Sequence, residues 1–407
     1  MSNSAGGVFN IVGRNLKLDT KEDIAPHLAE IEKIDPLYEV HFGGNTLGVG
    51  ACVALANVLK TKRSLRVADF ADIFTGRLIS EIPESLRALC DALLEHEQLE
   101  VIDLSDNAFG GRAAEPMTQL LSKNCHFHTL RLSNNGLGIT GGEIVAEALY
   151  RAAKSQRAAG RESKLRTVVC GRNRLENGSA AAWGRAFAAH GGIVEARLYQ
   201  NGIRMEGVEA LCAGLAKCPN LQVLDLQDNT VTLRGARAIA AALPSWLHLR
   251  VLNLSDSLVK SKGGMLIFEQ FHLGHGKHLE SLQLQYCDLN RAALGYLGKA
   301  ISKNLEHLDM LEINGNFADE DDECITAIQA ALGKWGHEGA LDELDEMDPE
   351  GEEEEEEEED DDDDDDDDDK HKDILDVANR AESQDVGQDA DAAADALADE
   401  LQSTYIK

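Results

Sequence analysis

A pattern of leucines and asparagines recurs along most of the chain and constrains its fold more than any other feature. The pattern L-x-x-L-x-L-x-x-N-x-L is clearest where it begins at Leu99, Phe127 and Leu221. Five of the nine intervals between successive asparagine positions are 28 residues long. A fixed period of this length is typical of a solenoid. The asparagine position is occupied by Asn45, Ile73, Asn107, Asn135, Asn173, Asn201, Asn229, Ser257, Cys287 and Asn316.

Each repeat reads as a short strand, a turn and a helix, since apolar residues recur at helical spacing after each asparagine. One such unit cannot bury its own apolar face, so neighbouring units must stack. We therefore predict an α/β fold, a leucine-rich repeat solenoid with the ribonuclease-inhibitor-like horseshoe of inner parallel strands and outer helices. About ten or eleven repeats would occupy residues 1–340. The asparagines are expected to satisfy backbone groups in the turns.

The negative charge is concentrated at one end of the chain. Of a net charge of −34, eighteen consecutive acidic residues occupy positions 352–369. Such a run repels itself and offers no apolar surface to bury. We predict an acidic low-complexity tail over residues 341–372 and a mostly disordered or weakly helical segment over 373–407.

Several classes of protein are excluded at this stage. A net-acidic body lacks the basic surface that nucleic acid requires. No apolar run approaches a membrane span, and the first residues do not resemble a signal peptide. The eight cysteines lack CxxC spacing, which indicates buried thiols in a reducing compartment. No phosphate loop, nucleophile elbow or metal-ligand set appears, so we expect neither a cofactor nor a metal of its own.

Departures from the repeat are the best candidates for function, because packing does not require them. The interval from Ile73 to Asn107 is 34 residues and the one from Asn135 to Asn173 is 38. We expect both insertions to be surface loops on the binding side, the second over residues 154–164. The residue before the asparagine position of each repeat should project outward from its turn, and several of these residues are acidic.

Several strings that the repeat does not require resemble the GTPase-activating proteins of Ran. They are Phe74-Thr-Gly-Arg77, Asn134-Asn-Gly-Leu-Gly138 and Cys170-Gly-Arg-Asn-Arg-Leu-Glu-Asn-Gly-Ser179. The likeness covers residues 1–350 in order and is greatest to the short fungal form, a leucine-rich crescent with an acidic tail. One departure is Ile79, where the family would have a basic residue.

The resemblance implies that the chain accelerates GTP hydrolysis on Ran in the cytoplasm and so supports nucleocytoplasmic transport. GTP and Mg²⁺ would be bound by the partner, whose own residues carry the chemistry, so the chain is a GTPase activator rather than an enzyme. The family is understood to work without an arginine finger. Its asparagine, here Asn134, would orient the GTPase's glutamine.

The resemblance also implies the surface that binds Ran in its GTP-bound form, with a Ran-binding protein as a further partner. For Arg77 the resemblance implies an interface arginine that anchors the partner, and two alternatives stay open: stabilising charge directly or holding structure. The chain itself is expected to be a monomer. The other residues expected to contact the partner are Asp72, Phe74, Asp106, Arg172, Arg174 and Asp228.

Two other classes of protein stay open. A leucine-rich repeat scaffold with an acidic tail could bind histones as an acidic chaperone, although such proteins have fewer and shorter repeats. A ribonuclease-inhibitor-like protein shares the period but carries far more cysteine. The sequence offers nothing in favour of a stand-alone enzyme.

Overall fold

The computed structural model describes residues 7–351, and these residues form one stack of repeats. Eleven parallel strands follow one another in chain order within a single sheet, and a separate pair, β2 and β4, lies near the amino terminus. The strands are β1 (Val8–Asn10), β2 (Lys17–Leu18), β3 (Glu39–His41), β4 (Thr46–Leu47), β5 (Val67–Asp69), β6 (Val101–Asp103), β7 (Thr129–Arg131), β8 (Thr167–Val169), β9 (Glu195–Arg197), β10 (Val223–Asp225), β11 (Val251–Asn253), β12 (Ser281–Gln283) and β13 (Met310–Glu312).

A helix follows nearly every strand of the sheet and returns the chain to the start of the next strand. Short 3₁₀ turns at Gly111–Ala113 and Leu243–Ser245 flank two of the helices. The helices are α1 (Lys21–Lys33), α2 (Val49–Leu59), α3 (Ile82–Leu93), α4 (Ala114–Lys123), α5 (Gly138–Ala158), α6 (Glu176–His190), α7 (Met205–Leu215), α8 (Thr232–Ala242), α9 (Lys260–His272), α10 (Arg291–Asn304) and α11 (Glu323–Lys334). This alternation confirms the predicted leucine-rich repeat solenoid.

The core lies between the sheet and the helices. In each strand the middle residue points toward the helices and is buried, as Leu130, Val168 and Leu224 are. The residues on either side of it point to the opposite face of the sheet, which none of the helices within residues 7–351 covers; we call this the open face. Seven of the eight cysteines are buried and all eight are free, in line with the prediction of buried thiols.

The asparagines join successive turns by buried hydrogen bonds. We call this series of positions, one per repeat, the asparagine ladder. Asn201 donates from Nδ2 to the carbonyl oxygens of Cys170 and Leu198, each at 2.9 Å. Its Oδ1 accepts from the backbone N–H groups of Asn173 at 2.9 Å and Leu175 at 3.4 Å. One amide thus satisfies polar groups of two repeats, which its donor and acceptor together allow.

At two ladder positions without asparagine, the side chain still donates a hydrogen bond to the preceding repeat. Ser257 donates its hydroxyl to the carbonyl oxygen of Leu226 at 3.3 Å, and the Cys287 thiol donates to that of Leu254 at 3.0 Å. The hydroxyl and the thiol thus take the place of the asparagine Nδ2 as donor. Ile73 is fully buried and replaces neither donor nor acceptor.

Residues just past 340, where the sequence predicts the tail to begin, still contact the last repeat. Leu341 pairs with Leu311 as a further parallel bridge. The Asp342 carboxylate accepts from the backbone N–H groups of Ile313 and Asn314, and the Arg291 side chain donates to the carbonyl oxygen of Pro349. These acidic residues therefore cap the last repeat. The predictions for residues 352–372 and 373–407 lie outside the described residues.

The second insertion is not wholly a loop. Residues 154–158 continue α5, which runs for 21 residues, and the turn begins only at Ala159. The lysine, serine, glutamine, arginine and alanine there are compatible with a helix. Gly160, with φ of 66°, ends the helix in the left-handed conformation that glycine adopts readily.

The ladder gives a stability prediction. Asn201→Ala should lower the free energy of unfolding by at least about 3 kcal/mol, because it leaves several buried backbone groups without partners. Chemical denaturation would measure the change. Arg237→Ala, on the exposed face of α8, is the control and should change stability by less than about 0.5 kcal/mol. A loss at Asn201 as small as the control's would contradict a structural role for the ladder.

Candidate functional site

One residue of each turn is held in a left-handed backbone conformation immediately before the ladder position. We call these residues the turn row: Gly44, Asp72, Asp106, Asn134, Arg172, Gln200, Asp228, Asp256, Tyr286 and Gly315. Their φ angles lie between 48° and 74°. The conformation buries the next side chain under the turn and directs the turn-row side chain outward. Asp106, Asn134, Arg172 and Asp228 are exposed, as the sequence predicts, and Asp72 is half-buried.

Asn134 and Asp106 are joined across neighbouring repeats. The Asn134 Nδ2 donates to Asp106 Oδ1 at 3.0 Å. Because an ionised carboxylate can only accept, it fixes which end of the amide is the nitrogen. Asn134 Oδ1 and its second N–H therefore remain on an exposed side chain whose orientation is set. Gln200 and Asp228 form a similar pair farther along the turn row, with Nε2 2.9 Å from Oδ2.

Arg172 and Arg174 are exposed on the same edge of the sheet as Asn134. Both have left-handed backbones, with φ of 56° and 55°. Within residues 7–351 neither guanidinium has a hydrogen-bond or ion-pair partner. They are therefore free to bind acidic groups of another molecule.

Phe74, predicted as a partner contact, is 2% exposed and packs in the core, so its side chain is not presented at the surface of the described structure. It follows Ile73 directly, and the ladder amide of Asn107 accepts from the backbone N–H groups of both residues. An aromatic side chain in a loop gave no sign from sequence alone of which way it would point.

Arg77 is engaged by the protein itself. Its side chain is only 10% exposed and pairs with the Asp19 carboxylate. The Nε donates to Thr46 Oγ1 and Nη2 to the Thr46 carbonyl oxygen, both at 2.8 Å. Of the three roles left open by the sequence, this arrangement favours the structural one.

The two insertions do not lie on one edge, contrary to the prediction. The first, residues 70–81, follows β5 and lies at the edge where strands end, with Asn134. The second follows α5 and leads into β8, so it lies at the edge where strands begin. Parallel strands place these two ends on opposite edges of a sheet.

Two features of the site were missed from the sequence. Leu78 and Ile79, beside Arg77, are 67% and 62% exposed, which makes them a prominent apolar pair at the tip of the first insertion. Tyr199 lies across Gly171, where an added Cβ would be 2.4 Å from the ring, and its hydroxyl is 3.3 Å from Ser133 Oγ. The sequence signal was Gly171 itself, at a position that leaves room for a ring.

The open face carries charged side chains at the last position of several strands. His41 Nδ1 is 2.9 Å from the Asp69 carboxylate and its Nε2 is 3.0 Å from that of Glu39. Arg197 Nη1 lies 3.3 Å from Asp225, whose burial raises the pKa of its carboxyl above the usual range. These charges neutralise one another in pairs.

Two kinds of site are absent from the described part of the chain. Over residues 7–351, no three histidine, cysteine or carboxylate side chains are grouped so as to hold a metal ion. No helix in that range has the length and apolar character needed to cross a bilayer.

Comparison with known proteins gives a consistent set of relatives. A family model described as leucine-rich repeat matches residues 123–145 and 217–240. Ran GTPase-activating protein 1 of Saccharomyces cerevisiae is 37% identical over 332 residues, which cover 79% of this chain and 81% of that protein. Ran GTPase-activating protein 1 of Xenopus laevis is 42% identical over 205 residues, covering 50% of this chain and 35% of the relative.

A more distant relative shares the repeat. The ribonuclease inhibitor of Sus scrofa is 26% identical over 273 residues, covering 67% of this chain and 56% of that protein. Its lower identity over a shorter stretch is consistent with a common repeat architecture alone.

The His41 contacts give a pH prediction. The hydrogen bond to Asp69 raises the pKa of His41 above its usual value near 6.5. The folded state therefore favours protonated His41, and the resulting stabilisation is full below the unfolded pKa and is lost as pH rises through the folded pKa. Proton NMR titration of the imidazole should give a midpoint above 6.5, and Asp69→Asn should lower it.

Buried His190, whose pKa is lowered to about 4 by burial, serves as the internal control and should not respond to Asp69→Asn. A His41 midpoint at or below 6.5 in the native protein would contradict this account.

Proposed function

This chain belongs to the family of Ran GTPase-activating proteins, and we propose that it accelerates the hydrolysis of GTP bound to Ran. The observation that carries the proposal is the likeness to a named family member over four-fifths of both chains, together with Asn134 at the exposed edge. The partner would bind GTP and Mg²⁺ and perform the chemistry. The alternative of a histone-binding scaffold is not favoured by these relatives.

The proposed reaction is in-line attack of water on the γ-phosphate, with the partner's glutamine orienting that water. Left alone, a glutamine side chain samples many rotamers, so holding it in one pose lowers the barrier. Asn134 suits this task because an amide accepts from and donates to another amide at once. Asp106 already holds the Asn134 nitrogen, so the free Oδ1 is turned to accept from the glutamine's N–H.

An arginine finger at Arg77 is not supported by its geometry. The guanidinium is nearly buried and its charge is paired with Asp19. Arg172 and Arg174 are the exposed, unpaired arginines of the turn row and its flank, and we propose that they and the acids Asp72, Asp106 and Asp228 form the docking surface. Arg172, one repeat from Asn134, is the position at which an arginine-based mechanism is best tested.

The wider role follows the family. We propose that the chain acts as a monomer on GTP-bound Ran in the cytoplasm, with a Ran-binding protein as an additional partner, and that this supports nucleocytoplasmic transport. The family resemblance supports this role.

The first experiment is single-turnover hydrolysis of Ran-bound GTP as a function of the concentration of this protein. The native chain should accelerate hydrolysis strongly, and Asn134→Ala should lower the rate at saturation by about 100-fold or more, because one preorganised polar group at a reacting centre contributes that much. The concentration for half-maximal rate should change little.

Asp256→Ala is the matched control, since Asp256 occupies the same left-handed, exposed position four repeats away. It should leave the saturating rate unchanged. Native protein that gives no acceleration would refute the function; an Asn134→Ala variant as active as the control would refute the mechanism.

Asp106→Ala and Arg172→Ala separate orientation of the amide from docking. Asp106→Ala removes a charge-assisted hydrogen bond to Asn134, so the saturating rate should fall about tenfold. Arg172→Ala should weaken binding and leave the saturating rate in place. A large loss of saturating rate in Arg172→Ala would instead point to an arginine that stabilises the transition state.

A further inference from the structure

Beyond the backbone hydrogen bonds at Asp72 and Ile73, the first insertion is fastened to the amino-terminal part of the chain by the Arg77 side chain. Arg77 reaches from the 70–81 segment to the β2–β4 strand pair, where all three of its guanidinium nitrogens are engaged. Nε and Nη2 donate to Thr46, and Nη1 pairs with Asp19. Asp19 and Arg77 are 58 residues apart in sequence, so the contact ties together two repeats that the strand ladder joins only through β3.

The contact continues into the turn row. Thr46 Oγ1, which accepts from Arg77, donates to the carbonyl oxygen of Thr75 at 2.8 Å. Thr75 Oγ1 in turn donates to Asp72 Oδ1 at 2.5 Å. The Thr46 hydroxyl accepts one hydrogen bond and donates another, whereas Thr75 accepts with its backbone carbonyl oxygen and donates with its hydroxyl. A chain of hydrogen bonds therefore runs from Asp19 to Asp72 at the edge that carries Asn134.

The site is built closely around the guanidinium. A Cβ added to Gly48 would lie 2.6 Å from the Asp19 carbonyl oxygen and 3.2 Å from Arg77 Nη1. Only glycine leaves this space open. Cys52, in the helix that follows Gly48, is fully buried, so the floor of the site is the protein core.

The charge of Arg77 is balanced where it lies. The hydrogen bond from Arg77 lowers the pKa of the Asp19 carboxyl, so Asp19 stays ionised at neutral pH. Lys17 Nζ is 3.3 Å from the other Asp19 oxygen and completes the pairing. To contact a phosphate, Arg77 would have to give up its bonds to both Thr46 and Asp19.

We infer that Asp19, Thr46 and Arg77 form a latch that positions residues 70–81, and that Arg77 contributes to GTPase activation through this latch without touching the partner. The inference rests on the proposed function and assigns two new positioning residues to it, Asp19 and Thr46. Through Thr75 the latch orients the Asp72 side chain, and it presents the exposed tip at Leu78 and Ile79.

The alternative is that Arg77 swings out and binds the partner directly. The two possibilities make opposite predictions for Asp19. If the latch acts, removing Asp19 damages activation as removing Arg77 does. If Arg77 binds the partner, removing Asp19 frees it and activation is kept or increased.

The first arm of the test is trypsin cleavage after Arg77, which requires the arginine side chain to enter the protease pocket. The native protein should resist cleavage between Arg77 and Leu78, whereas Asp19→Ala and Thr46→Val should each be cut there at least about tenfold faster, because local opening exposes the site. Cleavage at exposed Arg161, in the turn after α5, is the internal reference and should not change.

The second arm is activation of GTP hydrolysis by the same variants, with the half-maximal concentration and the saturating rate measured separately. Asp19→Ala and Thr46→Val should each lose activation about tenfold or more, by the same kinetic parameter that Arg77→Ala changes, since misplacement of a distant group is costly. The double variant of Asp19 and Arg77 should be no worse than Arg77→Ala alone, because residues acting as one unit are not additive. Glu100→Ala, which breaks an Arg66–Glu100 pair with a 2.9 Å contact at the opposite edge, should retain full activation.

Three results would overturn the latch. They are unchanged trypsin cleavage in both Asp19→Ala and Thr46→Val, full activation by Asp19→Ala while Arg77→Ala is impaired, and additive losses in the double variant. Failure of the native protein to activate hydrolysis would refute the proposed function instead, and the trypsin arm would still test the latch.

Discussion

The buried asparagine ladder is the interaction on which the rest of this structure depends. Each amide satisfies backbone groups of two successive turns, as Asn201 does for the turns at Asn173 and Leu198. To place the amide under the turn, the chain adopts a left-handed conformation at the preceding residue. The same constraint that closes the core therefore directs one side chain per repeat outward, at regular spacing along one edge.

The proposed site uses this arrangement twice. Asn134 and Asp106 are neighbours because the ladder spaces their turns one strand apart, and that spacing allows the hydrogen bond that orients the Asn134 amide. At Ile73 the ladder lacks its amide, and the chain departs into the 70–81 segment that Arg77 fastens to Thr46 and Asp19. A rigid repeat and one irregular segment together would form the surface that meets the partner.

Sequence alone predicted whatever the period determines. The strands, the helices, the buried asparagines and the outward turn row follow from residues spaced 28 apart, and the comparisons support the family that the strings around Arg77 and Asn134 suggested. Contacts between residues far apart in sequence could not be predicted from the repeat. Phe74 is buried and Arg77 pairs with Asp19, 58 residues away, because the packing of the insertion determines the direction of both side chains. The hydrogen bond by which Asp342 caps the last repeat could not be predicted from the sequence either.

The central claim is that Asn134 orients the partner's glutamine. Its most direct test is a structure of this protein bound to Ran with GDP and aluminium fluoride, which mimics the γ-phosphoryl group in the transition state. We expect the Asn134 amide to lie within hydrogen-bonding distance, about 2.9 Å, of the partner's glutamine side chain. Arg77 should remain on Asp19 and Thr46. An arginine of this chain at the fluoride, with Asn134 remote from the glutamine, would contradict the account.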